Sequence, residues 1–148
     1  GGWYAETDLL EIGAATVYGV TGQDQTQVLE LDANNNIKAS QMLTTTASMI
    51  YTVTFSAALR SGVATSSQGG DILWNDQVIG SFLPSSTVMQ GYSFSVVGTG
   101  SDKLSFVGTG TNDSFGTLVD NVAVEAVPEP ATMAILGLGL AALRRKRK

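Results

Sequence analysis

The chain reads as all-β, an antiparallel β-sandwich or jelly roll followed by a C-terminal hydrophobic helix. Three features predict this. Apolar and polar residues alternate with a period of two through the middle of the sequence, the alternating runs are short and separated by turn-forming residues, and no helical periodicity shows before residue 130.

The clearest run places Tyr51, Val53, Phe55, Ala57 and Leu59 on one face and Thr52, Thr54, Ser56 and Ala58 on the other, the pattern of a half-buried strand. Tyr92, Phe94 and Val96 repeat it against Ser93 and Ser95, and Leu104 with Phe106 repeats it again. Further strands are expected from Leu9 to Ile12, Thr16 to Val20, Gln27 to Leu31, Ile37 to Leu43, Ile72 to Trp74, Val78 to Phe82 and Thr117 to Val124. Between them, 32–36, 61–70 and 108–116 are rich in Gly, Asn, Asp and Ser and read as turns or loops. Asn75 and Asp76 tolerate left-handed backbone angles and predict a tight hairpin between two of the strands.

A chain of 148 residues suits one core, and the domain is expected to span residues 1–126. The first residue is Gly1, and no basic run followed by an apolar run opens the sequence, so the chain is expected to be a fragment with a secretory signal upstream. Cys and His are both missing, which excludes thiol nucleophiles, Ser-His-Asp triads and the usual zinc, haem and iron–sulfur ligand sets. Up to residue 130, three Lys or Arg face thirteen Asp or Glu, a net of −10, which disfavours nucleic acid and anionic lipid as partners. Neutral glycans and divalent cations remain compatible. Asp24, Asp32, Asp71, Asp76, Asp102 and Asp113 fall in or beside turns as solvated side chains, so no carboxylate pair for hydrolysis stands out and no enzyme is expected.

Composition changes at Val127, Pro128, Glu129 and Pro130, where two prolines end any strand. The thirteen residues from Ala131 to Leu143 are apolar except for Thr132, and Arg144, Arg145, Lys146, Arg147 and Lys148 follow them as a basic stop. As a helix the apolar stretch would rise about 20 Å, short of the roughly 30 Å hydrocarbon core of a bilayer. Pro-Glu-Pro, an apolar stretch and a terminal basic cluster, in that order, resemble the PEP-CTERM sorting signal of Gram-negative bacteria. For residues 127–148 the resemblance implies export, transient anchoring in the inner membrane, handling by an exosortase-type membrane peptidase and release to a cell surface or to an exopolysaccharide or biofilm matrix.

Leu29-Glu30-Leu31-Asp32 leading into Ile37 to Gln41, then Ile50 to Phe55, then Val119-Asp120-Asn121-Val122 resemble the galactose-binding-like jelly rolls of carbohydrate-binding modules. The resemblance implies polysaccharide as a partner, one more strand upstream, and Gly2-Trp3 as the remnant of a Trp-containing segment. Asp120 shares strand parity with Leu118, Val122 and Val124 and is expected to face the core, where a carboxylate needs compensation. It either caps a neighbouring loop through backbone N–H groups or, as the resemblance implies, helps hold a structural Ca2+ with Glu11. Trp74, beside the expected hairpin turn, and Trp3 are the residues able to stack on a pyranose ring, with core packing as the alternative use of each. Two functions follow: an exported, non-enzymatic surface or matrix protein, or a calcium-dependent lectin-like module.

Overall fold

The computed structural model describes residues 2–130 and Gly139. The expected hydrophobic helix from Ala131 to Leu143 and the basic stop Arg144 to Lys148 lie outside the described residues.

Ten strands and one helical turn follow in order: β1 (Tyr4–Thr7), β2 (Glu11–Ala14), α1 (Ala15–Tyr18), β3 (Gln27–Glu30), β4 (Lys38–Thr44), β5 (Ile50–Ala58), β6 (Gly70–Trp74), β7 (Gln77–Phe82), β8 (Gln90–Val97), β9 (Ser101–Gly108) and β10 (Leu118–Ala126). A short 3-10 turn, Thr65–Ser67, precedes β6. The strands form two five-stranded sheets, ordered β1-β4-β9-β6-β7 and β2-β3-β10-β5-β8, and all strand pairs within them are antiparallel. Consecutive elements therefore cross repeatedly between the layers, as in a jelly roll.

The inward-facing residues of β5, β8 and β9 build an aromatic centre. Phe55 meets Phe82 and Phe106 edge-on at 4.9 and 4.8 Å between ring centroids and stacks on Tyr92 at 5.3 Å. Such offset and edge-to-face contacts suit the ring quadrupoles and bury large apolar area in few residues. Leu31, Ile37, Ile72, Leu104 and Val119 close the layer around it. A smaller cluster of Ala15, Tyr18, Val20, Val28, Ala58 and Leu118 lies on the outer side of the second sheet, under α1.

Four expectations need correction. The stretch from Thr16 to Val20 is not a strand: residues 15–18 form one helical turn that ends at Gly19 with φ of 66°, and the turn swings Ala15 and Tyr18 onto the small cluster. The strand expected from Leu9 begins at Glu11, after Asp8 takes a left-handed angle, and β1 has no clear alternation to announce it. Asp32 and Asp102 are fully buried rather than solvated. Asp120 does not enter the main core, because β10 is bulged between Asp120 and Ala123, with Asn121 at φ 51°. Val119 faces the core before the bulge and Val122 and Val124 face it afterwards, so Asp120 keeps the outer face with Leu118. The hairpin between β6 and β7 turns at Asn75 and Asp76, both with positive φ, as a two-residue turn of the primed kind requires.

Candidate functional site

The bulge in β10 also opens the sheet. β10 pairs with β3 only through Leu118 and Val119, opposite Glu30 and Leu29, while on its other side it stays paired with β5 through to Ala126. Where β10 parts from β3, a cleft of about 220 Å³ lies between the layers, lined by Trp3, Ile12, Gln27, Val28, Leu29, Val119, Asp120, Asn121 and Val122. Its floor is apolar: Leu29 and Val122 pack on the core from below, and Ile12 is 54% exposed. Trp3 reaches it from the chain just before β1, its ring tilted against Phe106 at 5.7 Å. Gln27, Asp120 and Asn121 supply polar groups at the rim. Asp120 Oδ2 accepts the backbone N–H of Asp24 at 2.6 Å, which pins the 21–26 loop beside the opening. An apolar floor with a few polar groups at its edge matches a ring with C–H faces and hydroxyl edges.

Trp74 lies elsewhere. It is 7% exposed, belongs to the main core, and its indole N–H donates to the Val97 carbonyl at 3.1 Å. β6 carries it inward with Ile72, so the ring offers no free face to a sugar.

Glu11 and Asp120 do not come together. Glu11 stands opposite Glu30 on β3, whereas Asp120 stands opposite Ser56 on β5, so β3 lies between them. Each already has a protein partner, the Tyr18 hydroxyl donating to Glu11 at 2.9 Å and the Asp24 N–H donating to Asp120. Among the described residues no group of three His, Cys, Asp or Glu side chains is placed to hold a metal ion.

Two buried carboxylates that the sequence did not single out organise the adjacent loops. Glu30 Oε1 accepts from Arg60 Nη1 at 2.5 Å and from the Gly116 N–H at 2.8 Å. Burial drives the Glu30 carboxyl above its ordinary range, while the Gly116 N–H and the guanidinium act against that shift. Asp32 Oδ2 accepts the N–H groups of Asp113 and Ser114 at 2.9 and 3.0 Å. One signal was available: Val28, Glu30 and Asp32 share parity, so an inner Leu29 and Leu31 put both acids on one face. Nothing in the sequence says that α1 and two loops cover that face.

The tail leaves from the end of β10. The Val127 N–H donates to the Ile50 carbonyl at 2.8 Å, and residues 125–130 are exposed. Residues 126–148 match the PEP-CTERM protein-sorting motif. The chain carries a PEP-CTERM sorting signal. A PEP-CTERM signal marks an exported protein processed by an exosortase, and here it starts one residue before the last backbone bond of the sandwich.

The chain is similar to a multifunctional-autoprocessing repeats-in-toxin protein of Vibrio vulnificus, 31% identical over 128 residues, 84% of this chain and 2% of that protein. The chain spans 2–3% of the length of the curated relatives it matches. Among solved structures it is similar to a CBM35 from Paenibacillus barcinonensis, with 22% identity, a TM-score of 0.55, and 86% of this chain and 100% of that chain covered. A family 35 carbohydrate-binding module from Clostridium thermocellum gives 13% identity and a TM-score of 0.58, covering 82% and 90% of the two chains. These likenesses establish the fold of the body as that of the two-sheet modules.

Proposed function

We propose that this is a non-enzymatic polysaccharide-associated protein of a Gram-negative cell surface or extracellular matrix, delivered through its PEP-CTERM signal and holding glycan in the cleft beside Trp3. The observation that carries the reading is the direct succession of the two parts: the sorting motif begins at residue 126, the last residue of β10, so the sandwich is part of what the signal exports. The solved structures it resembles are described as carbohydrate-binding modules, and its own cleft offers the apolar floor and polar rim that a sugar needs. Asp120, Asp32, Glu6 and Glu30 are engaged in hydrogen bonds, ion pairs and loop pinning.

The acidic rim at Asp24 and Asp120 favours neutral polymers over uronic-acid polymers. Trp3→Ala, which strips the cleft of its aromatic wall, is expected to abolish binding on a glycan array while leaving the circular dichroism spectrum unchanged. Undiminished binding by Trp3→Ala removes the cleft from the proposal. Silence of the parent protein across neutral glycans leaves a sandwich that serves the matrix as structure alone.

A further inference from the structure

The end of the sandwich from which the tail departs differs from the rest of the surface. In the second sheet Ile50 stands opposite Val97, and Val127 is bonded to Ile50 through its backbone, so Val97, Ile50 and Val127 form one cross-strand row. Inward positions alternate as Tyr51, Val53 and Phe55 on β5 and Tyr92, Phe94 and Val96 on β8, which puts Ile50 and Val97 on the outer face. Ile50, Val97 and Val127 are 50, 55 and 39% exposed. The rows behind them are Ser95, Thr52 and Glu125, then Ser93, Thr54 and Ala123.

On the β5 and β8 side the surroundings of the row are uncharged. Segments 43–52 and 95–101 contain no Asp, Glu, Lys or Arg, although residues 1–130 carry a net of −10. Three backbone bonds hold these segments together at this end, from Thr45 to Gly100, Ser48 to Gly98 and Gly98 to Met49. Asp102 beside them is buried. On the outer face of the other sheet, Glu6 and Asp76 neutralise Lys38 and Lys103 in a four-member cluster. Glu125 and Glu129 are the nearest uncompensated charges.

Only Pro128, Glu129 and Pro130 separate Val127 from the apolar stretch that begins at Ala131. Four Cα steps reach at most about 14 Å. While the stretch is held in a bilayer, Val127 at the near end of the row cannot be farther than that from the start of the stretch.

We infer that in the anchored form the row of Val97, Ile50 and Val127 is seated in the headgroup boundary of the membrane, so that the body stands on its tail-exit end. This rests on the sorting-tail reading. A short tether sets the distance, exposed apolar side chains gain by partial burial in the interface, and the uncharged 43–52 and 95–101 segments limit the repulsion met there to that of Glu125 and Glu129.

The chain has no cysteine, so single substitutions place an environment-sensitive nitrobenzoxadiazole label at will. The full chain is labelled through Ile50→Cys, Val97→Cys, Leu138→Cys in the tail, or Val17→Cys on α1, which is 76% exposed and sits at the opposite end of β5. Each variant is reconstituted in phosphatidylethanolamine–phosphatidylglycerol vesicles. Labels at 50, 97 and 138 are expected to shift to the blue and lose quenching by aqueous iodide, and the label at 17 to do neither. A buried label at 138 with labels at 50 and 97 as open to iodide as that at 17 overturns the seating and leaves the tail reading standing. An exposed label at 138 overturns both. Labels at 50 and 97 already shielded before vesicles are added mean that a second copy or the chain's own tail covers the row, and the inference fails.

Discussion

Arg60 meets three segments at once. Its guanidinium lies over the rings of Tyr18 in α1 and Phe115 in the 108–116 loop, at 5.1 and 4.8 Å, while Nη1 donates to the buried carboxylate of Glu30 in β3. Glu30 is fully buried, and its second oxygen has no hydrogen-bond partner among the described residues. Removing the guanidinium leaves a desolvated acid with only the Gly116 N–H and uncovers both rings. Arg60→Ala is therefore expected to lower stability by about 3–5 kcal/mol, measured by chemical denaturation at neutral pH. Arg60→Lys recovers only part of that loss, since an ammonium cannot lie flat between two rings and reach the carboxylate in the same fork.

Asp102, at the start of β9, ties together three segments at one end of the sandwich. Its oxygens accept from Asn75 in the β6–β7 turn at 2.6 Å, from the Thr99 hydroxyl and N–H at 2.7 and 2.8 Å, and from the Thr45 hydroxyl after β4. Burial alone would raise this carboxyl, but these donors outweigh it and hold it at about 2, below the ordinary 3.8. Glu6 is likewise held at about 2, by hydrogen bonds from Lys103 and Lys38. A carboxyl depressed in the folded state adds stability above its unfolded value and loses it as pH falls toward the folded one. The melting temperature is thus expected to fall as pH drops from about 5 to about 2. Asp102→Asn should start lower at neutral pH and fall less across that window, as read by thermal melts along a pH series.

At this scale the sequence was legible where one face of a strand is buried and the other wet, which covers β3 to β10 and the Asn75–Asp76 turn. It was misread at Thr16 to Val20, where β-branched residues suggested a strand and Gly19 ended a helical turn instead. It was misread again at Asp120, since a bulge reverses parity without leaving a mark in composition. The cleft beside Trp3 exists because of that bulge, so the alternation rule that found β10 could not also find the opening next to it.

For the molecule as a whole, the sorting motif begins where the last strand of the sandwich ends. The final described backbone bond of the sandwich is made by Val127, and the exposed Pro128-Glu129-Pro130 segment follows it. Deleting residues 128–148 is expected to shift stability by no more than about 0.5 kcal/mol in a thermal melt. In the producing cell, fractionation of the same variant should show loss of exosortase processing and of surface retention. A substantial fall in melting temperature on deletion would mean that the tail belongs to the folded body, contrary to the sorting role.

The three cations of residues 1–130 are all taken up internally, Arg60 by Glu30 and the two lysines by Glu6 and Asp76. Outward, the sandwich therefore presents a one-signed charge. Copies of it repel one another over roughly a Debye length, about 8 Å at physiological ionic strength. On the proposed matrix role, the spacing of those copies is expected to shrink as salt rises around the cell.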